Sequence, residues 1–529
     1  MAFLSVATSI FAAFGVYALY TLLKLLHQEF ASSLRNLPGP KSKNWLLGHR
    51  PEILENLDGQ EGLWTSQYGR TLRINAVFGF SGLYTTDCKA VQHILSNSYL
   101  YQKPAPRRYV LGRVVGPGVL IVEEDHHKKQ RKILNPAFGP AQLRVLTEIF
   151  VEKSRQLRDV WASKAAEAGG VTRVNVIPEF NTAALDIIGK AGFNYDFRSI
   201  GSDWESIRDE LHEAFATISA AGERQAGLIS ILKAQFPLMR RLLPNTKIDK
   251  VIEGCQATMR GIGQRLLRDS RQKIVDGSSV DSAAARDLLS LLVRANMSKD
   301  ISEAQRLSEE DVLARNTAAT WAVFELARNP EIQTRLRNEL LVLDTENPSM
   351  DDLNSLKYLD AVVRETLRAH APVPLASRVA MRDDVIPLET PYTDATGTVH
   401  ETIRLTKGQS VVLPILAINR DPAIWGADAD QFIPERWERS PAISTGIPGH
   451  WSQMLTFLGG PRACIGFRFS LIEMKALLFT LVRGFEFELP VPATDVGRHF
   501  TTIVQQPVLR SDPSAGSQMP ILVKPFGQA

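Results

Sequence analysis

The sequence predicts a mainly α-helical protein with small β-sheets, led by one N-terminal transmembrane helix. Three observations carry this expectation. From Pro140 to about Pro330 the pattern is helical, broken only at Gly169-Gly170 and at Asp276–Ser279. Short runs of β-formers bounded by glycine turns lie outside that stretch, at residues 68–84 and 385–413. From Ala2 to Leu23 there is no charged residue, and apolar side chains cover every helical face.

The N-terminal run, at ~1.5 Å rise per residue, spans the ~30 Å hydrocarbon core of a bilayer. No basic segment precedes it and no small-x-small cleavage site ends it, which favours an uncleaved anchor over a signal peptide. Lys24, His27, Arg35, Lys41, Lys43 and Arg50 follow, so the positive-inside rule puts the bulk of the chain in the cytosol. Residues 1–36 form the expected anchor. Leu37-Pro-Gly-Pro40 is a stiff hinge, and 37–529 is the expected main domain.

Composition narrows the class. Apolar residues make up 44% and charged residues 22% of 529, enough for a large globular core. A net charge of +4 does not point to nucleic acid. Cys88, Cys255 and Cys464 are far apart, so neither a disulfide framework nor zinc spacing is present.

Residues 68–84 alternate, with Leu72, Ile74, Val77 and Phe78 as β-formers, and read as a hairpin turning near Gly79. Pro104 to Gly118 reads as an irregular connector. In the basic run 126–132, His127 and Arg131 are four apart and share a helical face, which alone marks a solvated surface. Leu228, Ile229, Ile231, Leu232 and Phe236 fit a core, a pocket roof or a membrane contact. Glu365 and Arg368 are three apart and can pair on one helix. Short strands are expected at Val385–Leu388 and Ile403–Leu413. The densest stretch is Phe457-Leu-Gly-Gly-Pro-Arg-Ala-Cys464-Ile-Gly466, a glycine-rich loop running into a long apolar helix. A cysteine just before a helix N-terminus meets unpaired N–H groups and the positive dipole end, which favour the thiolate. Such a thiolate is a nucleophile or a metal ligand; a buried structural cysteine is the competing reading.

That loop reads F-x-x-G-x-R-x-C-x-G without a mismatch and resembles the haem-binding loop of the cytochrome P450 family, the haem-thiolate monooxygenases. The resemblance runs from the hinge at Pro38 to about Val508 and implies the cytochrome P450 fold. It makes Cys464 the axial ligand of haem iron, with Phe457 beside the sulfur and Arg462 on a haem propionate. His127, Arg131 and Arg378 match other propionate-binding positions, while Lys128, Lys129 and Lys132 match a docking face for a reductase. Glu365, Arg368 and Arg436 match a buried structural triad. The implied activity is oxidation of a lipophilic small molecule with O2, with electrons from NADPH through cytochrome P450 reductase. In such a protein the chain is held as a single pass in the endoplasmic reticulum membrane, its catalytic domain cytosolic. A role in secondary metabolism fits.

One part departs from the family pattern. The family's distal helix carries a small-residue pair, then an acid and a threonine that relay protons to oxygen. Leu307–Ala314 resembles its beginning and Asn316–Ala327 its end; about a dozen to fifteen residues between them are missing, roughly three or four turns at ~3.6 residues each. Thr317 and Thr320 are the remaining candidates for the distal alcohol. The alternative function is therefore a haem-binding but catalytically impaired relative, or a mis-joined gene model of an active enzyme.

Overall fold

The computed structural model of the protein describes residues 32–55, 60–116, 118–201, 227–275, 309–438, 446–500 and 504–527, with isolated positions elsewhere. Its longer helices are α1 (Gln60–Tyr68), α2 (Cys88–Ser96), α3 (Ala105–Val115), α4 (Glu124–Leu134), α5 (Pro140–Glu167), α6 (Val176–Phe193), α7 (Leu228–Gln235), α8 (Lys247–Val275), α9 (Glu309–Arg328), α10 (Pro330–Leu340), α11 (Lys357–Ala369) and α12 (Phe467–Gly484). The strands are short: β1 (Thr71–Asn75), β2 (Ser81–Thr85), β3 (Tyr101–Gln102), β4 (Thr172–Asn175), β5 (Ala376–Ala380), β6 (Asp384–Thr393), β7 (Val399–Leu405), β8 (Ser410–Leu413), β9 (Phe485–Glu488), β10 (Val496–Phe500), β11 (Gln505–Leu509) and β12 (Pro520–Pro525). The protein is mostly helical with small sheets.

The chain packs as two compact units. The first comprises residues 1–102, 375–414 and 446–448. Its sheet has the order β1-β2-β8-β5-β3. The β1–β2 hairpin is antiparallel, Thr71 opposite Thr85, and β8 joins β2 in parallel, Leu83 opposite Val411. Ile53, Trp64, Leu72, Ile74 and Tyr84 form a buried cluster against this sheet. The β6–β7 hairpin is attached through Asp87, which is fully buried. Its carboxylate caps α2 at the Ala90 N–H (3.0 Å) and accepts the N–H groups of Glu389 (2.9 Å) and Thr390 (2.8 Å) on β6.

The second unit comprises residues 103–374, 415–445 and 449–529. At its centre lies α12, buried along almost its whole length and packed against α5. Phe150 on α5 meets Phe469 on α12 edge-on at 4.7 Å. Trp161 stacks on Phe180 of α6 at 5.9 Å and abuts Phe485 and Phe487 of β9. Helix α9 runs against α6, α11 and α12.

The structure corrects two sequence expectations. Residues 104–118 are largely helical: α3 opens beside Pro104 and Pro106, where a missing N–H costs nothing, and stops at Gly116 with φ +71°. The helical stretch from 140 to 330 contains a strand, β4, because β12 pairs with it from the far end of the chain, Pro520 opposite Asn175. Among the described residues no helix is long and apolar enough to cross a membrane. The expected span, residues 2–23, lies outside the described residues save for isolated positions.

Replacing Asp87 with alanine removes the acceptor of three backbone N–H groups at once, that of Ala90 buried and those of Glu389 and Thr390 part-buried. We expect a loss of about 3 kcal/mol, and less for Asp87→Asn, measured by urea unfolding.

Candidate functional site

The Cys464 loop is shaped by its own backbone. Leu458 and Gly460 adopt φ +57° and +68°, and the Cys464 N–H donates to the Phe457 carbonyl at 2.9 Å. A Cβ on Gly449 would lie 2.1 Å from the Met454 carbonyl oxygen, so only glycine fits beneath the turn. Cys464 lies three residues ahead of α12, whose N-cap is Gly466. Phe457 is edged by Trp451 (5.7 Å) and tilted against Phe467 (6.0 Å), an apolar wall beside the half-buried cysteine.

Basic groups converge on this loop. Arg131, from α4, donates to the Ala463 carbonyl. Arg462 donates to the Val122 carbonyl at 2.7 Å and pairs with buried Glu123, which also accepts the Lys103 N–H at 3.1 Å. His127 is buried, and its pKa is lowered to about 3, first by burial and then by Arg462, Lys103 and Arg131. His127 is thus neutral among three cations. The donor set fits haem: a thiol at a helix N-terminus, an aromatic wall, and an excess of cations matched to the anionic propionate edge. Arg378 belongs to the first unit, where it is buried on β5 and donates to the Ser377 carbonyl at 2.9 Å.

Glu365, Arg368 and Arg436 are brought together. Glu365 and Arg368 are wholly buried and form a two-point pair (2.7 and 2.9 Å). The Arg436 Nε stands 3.5 Å from Glu365. Arg368 spends its other N–H groups on the carbonyls of Asn419 (3.0 Å), Ala429 (2.6 Å) and Gln431 (2.9 Å). Glu365 also accepts the Ile433 N–H (2.9 Å) and the Trp437 indole N–H (3.0 Å).

Helix α9 is continuous across Ala314–Asn316. Thr317 and Thr320 are both buried, and the Thr320 hydroxyl donates to the Asn316 carbonyl one turn back at 2.8 Å. The Asn316 amide donates to Asn181 on α6 at 2.8 Å. A small pocket lies between α6, α9 and α12; Phe180, Ala183, Asn316, Ala319, Glu473 and Met474 help line it. Neither threonine nor Cys464 is among its lining residues.

A second buried polar cluster escaped the sequence reading. His370 Nε2 lies 2.7 Å from Glu325 of α9, its Nδ1 3.1 Å from Arg498 of β10, and its ring stacks on Trp321 at 4.4 Å. Burial lowers the His370 pKa to about 4, so the neutral ring donates to Glu325 and accepts from Arg498. Burial opposes ionisation of Glu325, but the His370 hydrogen bond prevails and its pKa is lowered. No local pattern marks this cluster, nor the Glu123–Arg462 pair, because the partners are remote in sequence.

Fold and loop together define a haem-thiolate class of protein. The family model for cytochrome P450 matches residues 38–510. Cytochrome P450 monooxygenase 205 of Postia placenta is 45% identical over 98% of this chain and 99% of its own length. Cytochrome P450 monooxygenase 128 of the same fungus is 43% identical over 96% of each chain. Cytochrome P450 monooxygenase claW of Ampulloclitocybe clavipes is 31% identical over 98% of each. The chain belongs to the cytochrome P450 family. Its class is monooxygenase, an oxidoreductase, and its cofactor is thiolate-ligated haem.

Two predictions follow from the buried charges. Glu365→Gln leaves Arg368 charged and uncompensated, at a cost of about 3–5 kcal/mol in urea unfolding. For His370, the unfolded ring titrates near 6.5 and the folded one near 4. Below pH 6.5 the unfolded chain therefore binds a proton that the folded chain refuses. Stability should fall with pH through that window at up to about 1.4 kcal/mol per pH unit, and His370→Asn should flatten the slope.

Proposed function

We propose that this protein oxidises a lipophilic small molecule with O2, taking electrons from an NADPH-dependent reductase, in secondary metabolism. The observation that carries the reading is the Cys464 loop, with its thiol ahead of α12 and cations gathered around it. In this reading Cys464 holds the iron, Phe457 packs beside the sulfur, and Arg462, Arg131 and His127 take the propionates. When bound, the haem supplies the binding and activation of oxygen. The chain's own part is to keep the sulfur anionic through the helix N-terminus, to neutralise the propionates, and to exclude water with the aromatic wall. Exposed Lys128, Lys129 and Lys132 on α4 suit an acidic partner face. Residues 1–36 anchor the chain in the endoplasmic reticulum membrane, and 37–529 form the cytosolic catalytic part.

A second reading rests on α9. The aligned span with monooxygenase 205 covers 542 positions, more than the 529 residues here, so that relative carries residues this chain lacks. The Thr320 hydroxyl is bonded within its own helix. On this reading the protein holds haem but does not couple electron flow to product.

Reduced protein with CO should show the strongly red-shifted Soret band of thiolate ligation, and Cys464→His should lose it; a retained band would sink the ligand assignment. Product per NADPH, measured with reductase over terpenoid, fatty and aromatic substrates, decides between the readings. Tight coupling supports the first. NADPH consumption without product, cured by inserting about fifteen residues with an acid–threonine pair after Ala314, supports the second.

A further inference from the structure

Arg462, two residues ahead of Cys464, is gripped by a segment remote from it in the chain. Its guanidinium donates through Nη1 to the Val122 carbonyl at 2.7 Å and through Nη2 to the Glu123 carboxylate. Both side chains of that pair are 6% exposed, so water screens the contact poorly and its charges act strongly. Glu123 is fixed from its other side too. It accepts the Lys103 N–H at 3.1 Å, while the Lys103 ammonium donates to the Leu120 carbonyl at 2.5 Å. The next residue, Glu124, stands at φ +51°, a left-handed conformation that side chains seldom adopt. Strain of that kind persists where the surrounding turn is pinned, as this one is.

Charge in this corner is felt at the sulfur. Arg131 donates to the Ala463 carbonyl; burial lowers its pKa, and Cys464 acts in the opposite direction. Glu123 therefore places a carboxylate against a cation that is two residues from the thiol and assigned to a propionate. A guanidinium shared between two carboxylates gives each less than it gives one alone, and the two carboxylates repel across it. The potential of a haem follows the net charge and hydrogen bonds around it.

We propose that Glu123 is a positioning residue that sets how much positive charge Arg462 lends to the haem. It holds the guanidinium in place and cancels part of its charge, which keeps the reduction potential low and the grip on the propionate loose. The proposal rests on the reading of Cys464 as iron ligand and Arg462 as a propionate contact. Taking away the negative charge while leaving an acceptor favours the reduced haem, which carries one more negative charge, and tightens the propionate contact.

The test uses full-length, haem-loaded protein. Glu123→Gln removes the charge and keeps an amide oxygen for Arg462, whereas Glu123→Asp keeps the charge. In a redox titration with mediator dyes, Glu123→Gln should be reduced at a more positive potential. Its reduced-to-oxidised ratio at the parent's midpoint should rise by roughly threefold or more, and its haem transfer to excess apomyoglobin should slow by a similar factor. Glu123→Asp should stay with the parent in both. An unshifted potential in Glu123→Gln, with the thiolate Soret band of its reduced CO form intact, overturns this proposal and leaves the ligand reading standing. If Glu123→Gln takes up no haem while Glu123→Asp does, the pair is structural and the proposal is overturned. A parent protein without the thiolate Soret band overturns the ligand reading and this proposal together.

Discussion

The contact on which the second unit depends is the buried pair of Glu365 and Arg368. Both side chains are cut off from water, so neither charge is tolerable without the other and a full set of hydrogen bonds. Arg368 therefore gathers three carbonyls, Asn419, Ala429 and Gln431, and Glu365 gathers the Ile433 N–H and the Trp437 indole. A segment with little regular structure of its own is thereby tied to α11. The tie continues into the cysteine loop: the Asn419 amide donates to the Thr456 hydroxyl at 2.8 Å, which donates back to the Leu367 carbonyl at 2.7 Å. Phe457 is the next residue. Desolvation, costly in itself, becomes positional precision where a ligand loop must be held still.

Charge around the loop is arranged by the same principle with the opposite sign. Arg462, Arg131 and Lys103 surround a histidine that burial and those cations keep neutral. Glu123 supplies a counter-charge to Arg462. An environment so rich in donors stabilises anions, whether a thiolate or a carboxylate group of a bound cofactor. Electrostatics and loop geometry thus point to one chemistry from independent directions.

Helix α9 is tied to its neighbours by buried polar contacts. Its C-terminal half is firmly placed: Trp321, Glu325 and His370 form a buried stack and hydrogen-bond chain that joins it to α11 and β10. Ahead of Trp321, the Asn316 amide donates to Asn181 on α6.

The sequence alone determined the parts whose physics is local. Ten consecutive residues from Phe457 to Gly466 declare a tight loop, a cysteine and a helix start, and Glu365 and Arg368 share a helix face by spacing alone. Alternation at Leu72 and Ile74 announced the first hairpin, because period-two burial is written in neighbouring residues. Only the tertiary structure decided that residues 104–118 are largely helix, that β4 exists at all, and that Arg462 meets Glu123. Each of those depends on free energy from a partner remote in the chain: β12 for β4, α7 and α8 against α3, and the start of α4 for Arg462. A propensity pattern records what a segment prefers by itself; burial against a distant neighbour outweighs that preference and leaves no local trace.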